Sequence, residues 1–224
     1  VLARDQTTRL TVGAPPTACA HLIVPLIAEF EKANPRVHVH VVDTDLGNID
    51  RLVQAGSIDI GLGMFVRPTG SIRTSLFKFT LVLASAAPRF QIGRTPKRWA
   101  DLVDAPLIGL PADYPFQQIV AGHLAEAGRS QGPRDLVNFI DTQISMAAAG
   151  RGVAIIPTTA INSCRNWPVK LEPIVDPTVE MDYFELRDKA RVLPPCADAF
   201  TSFLRESVPR LLAPFKTPRR ASAS

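Results

Sequence analysis

No apolar run in the 224 residues approaches the roughly 18 that a membrane-spanning helix needs, which argues against a membrane protein. Cysteine is scarce. Cys19, Cys164 and Cys196 are odd in number and far apart, with no CxxC, so they form neither a disulfide framework nor a zinc set, and a reducing compartment is expected. Neither charge dominates. The formal net charge is +4, from 25 basic and 21 acidic residues, but Lys216, Arg219 and Arg220 sit in the last nine residues, KTPRRASAS. The remaining 22 basic residues face 21 acidic ones, a net +1, so the basicity is largely a solvated tail and not a DNA-reading stripe. The spacings GxSxG, HExxH and GxxxxGK[ST] are missing, and the four histidines (His21, His38, His40, His123) mark no triad. The expectation is a protein that is not an enzyme and carries no cofactor. The opening VLARDQTTRL lacks the apolar segment of a signal peptide. Because it begins at Val1, the chain is read as a fragment or processed form with a further domain upstream.

What is present is ordinary for a globular protein: 46% hydrophobic and 21% charged residues, with 20 prolines falling between apolar segments. Arg9 to Gly13 reads as a buried strand. Leu22, Ile23, Leu26, Ile27 and Phe30 then recur at helical spacing up to Asn34-Pro35. Val37, Val39 and Val41 alternate with histidines as a strand, Ile49 to Val53 suggests a short helix closed by Gly56, and Ile58 to Leu62 a third strand. This β-α-β-α-β series makes a right-handed parallel unit with helices on its faces. Ser75 to Ser85 reads as one longer strand and Lys97 to Val103 as a short helix. A second, similar series follows: strand Pro106 to Leu110, helix Phe116 to Ala127, strand Leu136 to Phe139, helix Gln143 to Ala149 and strand Val153 to Ile156. Strands at Val169 to Pro173 and Met181 to Leu186 and a helix from Ala197 close the chain. The last third is too short for a lobe of its own and is expected to return to the first. Lobe I is assigned to 7–83, lobe II to 84–160, the return segment to 161–213 and a flexible basic tail to 214–224. The fold class is α/β, two Rossmann-like lobes joined by two crossing strands, with a ligand cleft expected between them.

Each lobe has a strand that ends in a Gly/Pro loop opening onto a helix, VGAPPTACAHL and IGLPADYPFQQI. Helix starts offer unpaired N–H groups and the positive end of the dipole to polar ligands. Thr17 and Thr142 stand at two such starts, where a ligand contact and an ordinary N-cap are both open readings. Tyr114 and Phe116 either stack on a ligand or plug the lobe surface. Cys19 reads as a small buried hydrophobe, and His38 and His40, with no acidic or thiol ligand set accompanying them, as solvated or lobe-contact residues and not metal ligands. Gly150 and Gly152 in AAGRGVAIIP lack the Lys-Ser/Thr of a phosphate loop and read as a helix C-cap with a tight entry into a strand.

The ordered set RLTVGAPPT, Pro25 ahead of EFEKANPRVHV, QAGSIDIGLG, PLIGLP and MAAAGRGVAIIP spans residues 9 to about 205. It resembles the effector-binding domain of LysR-type transcriptional regulators, whose fold is related to the type 2 periplasmic binding proteins. The resemblance implies a bacterial, cytoplasmic regulator that binds a small-molecule effector. A DNA-binding helix-turn-helix would lie upstream of Val1, and the protein would assemble as a homodimer or homotetramer. It places the effector contacts at Pro16, Thr17, Ala18 and Cys19, at Asp45 and Leu46, and at Gly63, Met64 and Phe65 in lobe I. In lobe II it places them at Asp113, Tyr114 and Pro115 and at Asp141, Thr142 and Gln143, with no metal. The charged members are Asp45, Asp113 and Asp141, with no Arg or Lys in those loops. A neutral, cationic or aromatic effector is therefore expected in place of a small dianion. The alternative on the same fold is a periplasmic solute-binding protein serving a transporter.

Overall fold

The computed structural model describes residues 7–66, 69–86 and 95–213. The chain divides into two compact units, Val1–Lys78 with Asp182–Leu211 and Phe79–Met181 with Leu212–Ser224.

In the first unit, strand β1 (Thr8–Ala14) buries Leu10, Val12 and Ala14 by simple alternation. A continuous helical segment follows as α1 (Pro16–Ala18), a π-helical turn (Cys19–Ile23) and α2 (Val24–Ala33). The π turn has a visible cause in Pro25. Its ring would press on the His21 carbonyl, to which it has no N–H to donate, and just ahead of it the Val24 N–H donates five residues back, to Cys19 O. Leu22, Ile23, Leu26, Ile27 and Phe30 form the buried face, and the helix stops at Asn34, whose following proline disfavours helical backbone. Then come β2 (Val37–Asp43), α3 (Leu46–Gln54), β3 (Ile60–Gly63), β4 (Ile72–Phe79) and, from the end of the chain, β11 (Met181–Arg187) and helix α6 (Pro195–Leu212). The sheet order is β2-β1-β3-β11-β4, with β2 and β3 parallel to β1 and β11 antiparallel to β3. Ala197, Phe200, Leu204 and Val208 of α6 are fully buried, and Phe200 meets Phe30 edge to face, with ring centroids 5.2 Å apart.

The second unit contains β5 (Leu81–Ala86), β6 (Lys97–Arg98), a 3₁₀ turn (Trp99–Leu102), β7 (Leu107–Gly109), α4 (Pro115–Glu126), β8 (Asp135–Leu136), α5 (Ile140–Ala148), β9 (Val153–Pro157), a 3₁₀ helix (Thr158–Asn166) and β10 (Val169–Val175). Its sheet order is β6-β10-β5-β9-β7-β8. The parallel trio β8-β7-β9 repeats β2-β1-β3, and in each unit an antiparallel strand pairs with the third member, β5 on β9 and β11 on β3. The doubled series expected from the sequence is therefore present as two copies of one topology.

Several expectations are corrected. Ser75 to Ser85 is not one strand: β4 and β5 lie in different sheets with Thr80 between them. The burial pattern shows why. β4 is exposed along its first half, whereas every residue of β5 is buried, as a central strand requires. The change of unit thus falls at Lys78–Phe79 and not after 83. The return to the first unit begins at Asp182, not 161. β10 runs antiparallel to β5, from Val169 opposite Ala86 to Pro173 opposite Val82, and its alternating pattern would suit any half-buried strand in either sheet. Lys97 and Arg98 are strand, followed by a 3₁₀ turn in place of an α-helix, and only Leu136 of the Leu136 to Phe139 segment lies in β8. The proposed tail, 214–224, lies outside the described residues.

Candidate functional site

Parallel strands point all their C-terminal ends one way, so the loops that follow them gather along one edge of each unit. In the first unit Ala14 pairs with Asp43 and Gly13 with Gly61, and the Thr44 N–H donates to Ala14 O at 3.1 Å. This brings Pro16–Cys19, Asp45–Leu46 and Gly63–Phe65 to the same end of the sheet. In the second unit Gly109 pairs with Leu136, and the Val137 N–H donates to Gly109 O at 3.0 Å. Asp113–Pro115 and Asp141–Gln143 therefore follow neighbouring strands, at the starts of α4 and α5.

The side chains in these loops differ in what they offer. Asp45, Asp113 and Thr142 are exposed, and Pro16, Ala18, Tyr114, Pro115 and Asp141 are half-buried. Leu46 and Phe65 pack with Ile49, Val53, Ile58 and Leu186 in a core cluster of the first unit, and Met64 is buried as well. Gly63 is needed by that packing, because a Cβ there would stand 2.4 Å from Leu46 Cδ1 and 3.1 Å from Phe65 Cζ. Cys19 is buried, and its thiol donates to Ala14 O at 3.3 Å. Burial, then the charge of Asp43, pushes the Cys19 thiol up to about 11, against the small opposing effect of that hydrogen bond. It is a packing residue and not a nucleophile. Gln143 turns inward, with its amide nitrogen donating to Ile108 O at 2.6 Å.

Neither threonine is an N-cap. Pro15 caps α1, placing Thr17 at the second helical position, and Phe139 caps α5, placing Thr142 third. Asp45 and Tyr114 hold the cap positions of α3 and α4, and among the described residues no side chain caps any of these four helix starts. Phe116 is the plug, fully buried, with half-buried Tyr114 edge to face against it at 5.7 Å. His38 lies on exposed strand surface with Nδ1 3.2 Å from Glu31 Oε1, and no cluster of three or more His, Cys, Asp or Glu residues able to hold a metal occurs among the described residues. AAGRGVAIIP is a helix end: Gly150, at φ +71°, donates to Ala147 O and Arg151 to Met146 O, which together make the glycine-terminated Schellman motif.

One basic residue near the first set escaped the sequence reading. Arg73 on β4 donates from Nη1 to Phe65 O at 2.5 Å, and its guanidinium lies 4.7 Å from the ring centroid of Phe184. Phe184 comes to this place because β11 pairs it with Gly63. No spacing in the sequence signals this. The contact depends on two strands, β4 and β11, gathered from distant parts of the chain.

Comparison with known proteins now decides the family. Residues 3–209 match the model of the LysR substrate binding domain. The chain belongs to the LysR substrate-binding domain family. Curated relatives are transcriptional regulators, not enzymes. The chain is 23% identical over 196 residues to the uncharacterized HTH-type transcriptional regulator YbhD of Escherichia coli K12, covering 87% of this chain and 62% of YbhD. It is 25% identical over 183 residues to the HTH-type transcriptional regulator IlvR of Caulobacter vibrioides, covering 80% and 61%. It thus spans about three-fifths of the length of these two relatives. Solved LysR-type structures share the fold. The reduced form of the regulatory domain of OxyR2 from Vibrio vulnificus superposes with a TM-score of 0.78 at 15% identity, over 90% of this chain and 96% of that one. HinK of Pseudomonas aeruginosa, a LysR family regulator, gives 0.81 at 18% identity over 92% and 72%. The LysR domain here is the periplasmic-binding-protein-like fold expected from the sequence motifs. No helix among the described residues is long and apolar enough to cross a membrane.

Proposed function

We propose that this LysR substrate-binding domain senses a small-molecule effector through the strand-end loops of its two units, and that binding changes the arrangement of an oligomer that controls transcription. The observation that carries the reading is the family match over residues 3–209. The gathering of strand-end loops at helix starts in each unit supports it, because the positive dipole end of a helix favours a ligand's polar atoms. In the longer regulator a helix-turn-helix outside this chain reads DNA, the protein acts in the cytoplasm, and the assembly is a homodimer or homotetramer. The effector works by preferring one arrangement over another, since only differential affinity shifts such an equilibrium.

In this proposal Pro16, Thr17, Ala18, Asp45, Asp113, Tyr114, Pro115, Asp141 and Thr142 face the effector. Cys19, Leu46, Gly63, Met64 and Phe65 shape the ground beneath it. The acids face no lysine or arginine within their own loops, and Arg73 is already engaged by a carbonyl and a ring. The effector is therefore neutral, cationic or aromatic. Calorimetric titration of the chain with matched panels of neutral aromatic compounds, amines and dicarboxylates tests this. Binding is expected from the first two panels, with Thr17→Val and Tyr114→Ala each weakening it about tenfold, the worth of one lost polar or stacking contact. A dicarboxylate binding more tightly than every neutral compound would overturn the effector class.

A further inference from the structure

Gln143 does not behave as a residue of the strand-end loops. It is only 1% exposed, its amide nitrogen is held by Ile108 O, and its Oε1 has no hydrogen-bond partner. It is also part of the wall of a cavity of about 170 Å³ that lies wholly within the second unit, where α4 and the loop after it cover β7 and β9. Leu107, Val120, Leu124 and Ile155 make the apolar part of that wall, Gln117, Ser130, Gln131 and Gln143 the polar part, and Ala121 and Ala125, both exposed on α4, stand at its open edge.

The only charged residue among those lining the cavity is Arg129, and its guanidinium is already committed. Nε donates to Gln131 O at 2.7 Å, Nη1 to Val103 O at 2.7 Å and Ala105 O at 2.9 Å, and Nη2 to Gly132 O at 3.0 Å. Arg129 thus staples the loop in place. With no carboxylate on the wall and its one cation spent on carbonyls, the cavity compensates neither an anion nor an ammonium group.

We propose that this cavity is a second small-molecule site, distinct from the strand-end loops, taking a neutral ligand of one-ring size with an apolar body and a single hydrogen-bond donor that completes the Gln143 amide. The size is right, since an apolar cavity of about 150 Å³ is enough to hold benzene. The polarity is right as well, because a buried acceptor left unpaired is costly and an occupant that donates to it recovers that cost.

The test is an NMR titration of the ¹⁵N-labelled 224-residue chain with phenol, and with toluene and benzoate as the same ring without the donor and with a charge. Phenol is expected to give saturable shifts at the Gln143 side-chain amide, Leu107–Leu110 and Val120–Leu124 that share one affinity and persist in Thr17→Val, apart from any at the strand-end loops. Toluene should bind about tenfold more weakly, the worth of one satisfied buried acceptor, and benzoate should leave these signals unmoved. Ala121→Trp covers the edge of the cavity from the exposed side of α4 without touching the core, and should abolish the phenol shifts. Gln143→Leu should lower phenol to the affinity of toluene. Thr17→Val, which probes the effector loops, should leave phenol binding unchanged, so failure of the effector reading and failure of this one are separable. Equal affinity for phenol and toluene, shifts that survive Ala121→Trp, shifts scattered across the chain, or a phenol-soaked crystal with only water in the cavity would each overturn the proposal.

Discussion

The fate of single residues in this domain follows from what surrounds them more than from their chemical type. Cys19 opens the π-helical turn, with its thiol donating to Ala14 O at the end of β1, yet burial and the nearby Asp43 push it up to about 11. Cys164 is pushed up to about 11 as well, by burial first and Asp141 second. A thiol whose acidity is weakened by folding binds its proton more tightly in the native state. Its contribution is fully present below the ordinary thiol range and is lost as the pH climbs through the folded value. The window is therefore roughly pH 9 to 11, and each thiol is worth roughly 3 kcal/mol across it. Urea unfolding at a series of pH values should show stability falling through this window. A Cys19→Ala, Cys164→Ala double variant should flatten the fall, and an unchanged slope in that variant would show that the two thiols are not its source. At pH 7.5 iodoacetamide should modify half-buried Cys196 well before either of the others.

At the scale of elements, three helices end in the same device. After α3, α4 and α5 a glycine takes a positive φ: Gly56 at +68°, Gly128 at +104° and Gly150 at +71°. In each case the glycine and its successor close on the last carbonyls of the helix. Gly122, inside α4, is different, since a Cβ there would meet nothing within 4 Å. The same substitution should therefore have opposite signs at two glycines. Gly150→Ala should cost about 1–2 kcal/mol through left-handed strain, and Gly122→Ala should gain about 0.5–1 kcal/mol through helix propensity. Denaturant midpoints of the two variants decide it, and a loss at Gly122 would mean that α4 is covered there. Gly56 and Gly150 were legible in the sequence as helix ends, as were the apolar stripe of α2 and the alternation in β2, because each signal is local. The split between β4 and β5 was not, because SLFKFTLVLAS reads as one apolar run until the partner strands on either side of Thr80 are known. Lys97 misled for the same reason. It stands at the start of a segment that reads as a short helix, but it lies in β6, is 2% exposed and is 3.4 Å from the carboxylate of Glu172 on the neighbouring strand β10. At the candidate site the loops were legible and the side-chain directions were not. Phe65 and Leu46 went to the core, Gln143 went inward, and Arg73 arrived from β4.

At the scale of the whole molecule, the repeated topology sets what this chain can and cannot do by itself. Two copies of one parallel unit, each closed by an antiparallel strand, supply two sets of strand-end loops that open onto helix starts. The charge bears on DNA binding. Apart from Lys216, Arg219 and Arg220 near the C-terminus, basic and acidic residues nearly cancel. Affinity for a duplex rests on the number of phosphates neutralised, and even non-specific binding by dedicated proteins lies at about 10⁻⁴–10⁻⁶ M at physiological salt. Three terminal cations can release only about three counterions, so the 224-residue chain should bind duplex DNA weakly, with a salt dependence shallower than that of a dedicated DNA-binding protein. Fluorescence anisotropy with a labelled 30-base-pair duplex should show no saturation at about 10 µM protein in about 150 mM salt. Residual binding at low salt should disappear when residues 214–224 are removed. Tight binding that survives both the salt and the truncation would place a DNA-contacting surface on the folded units.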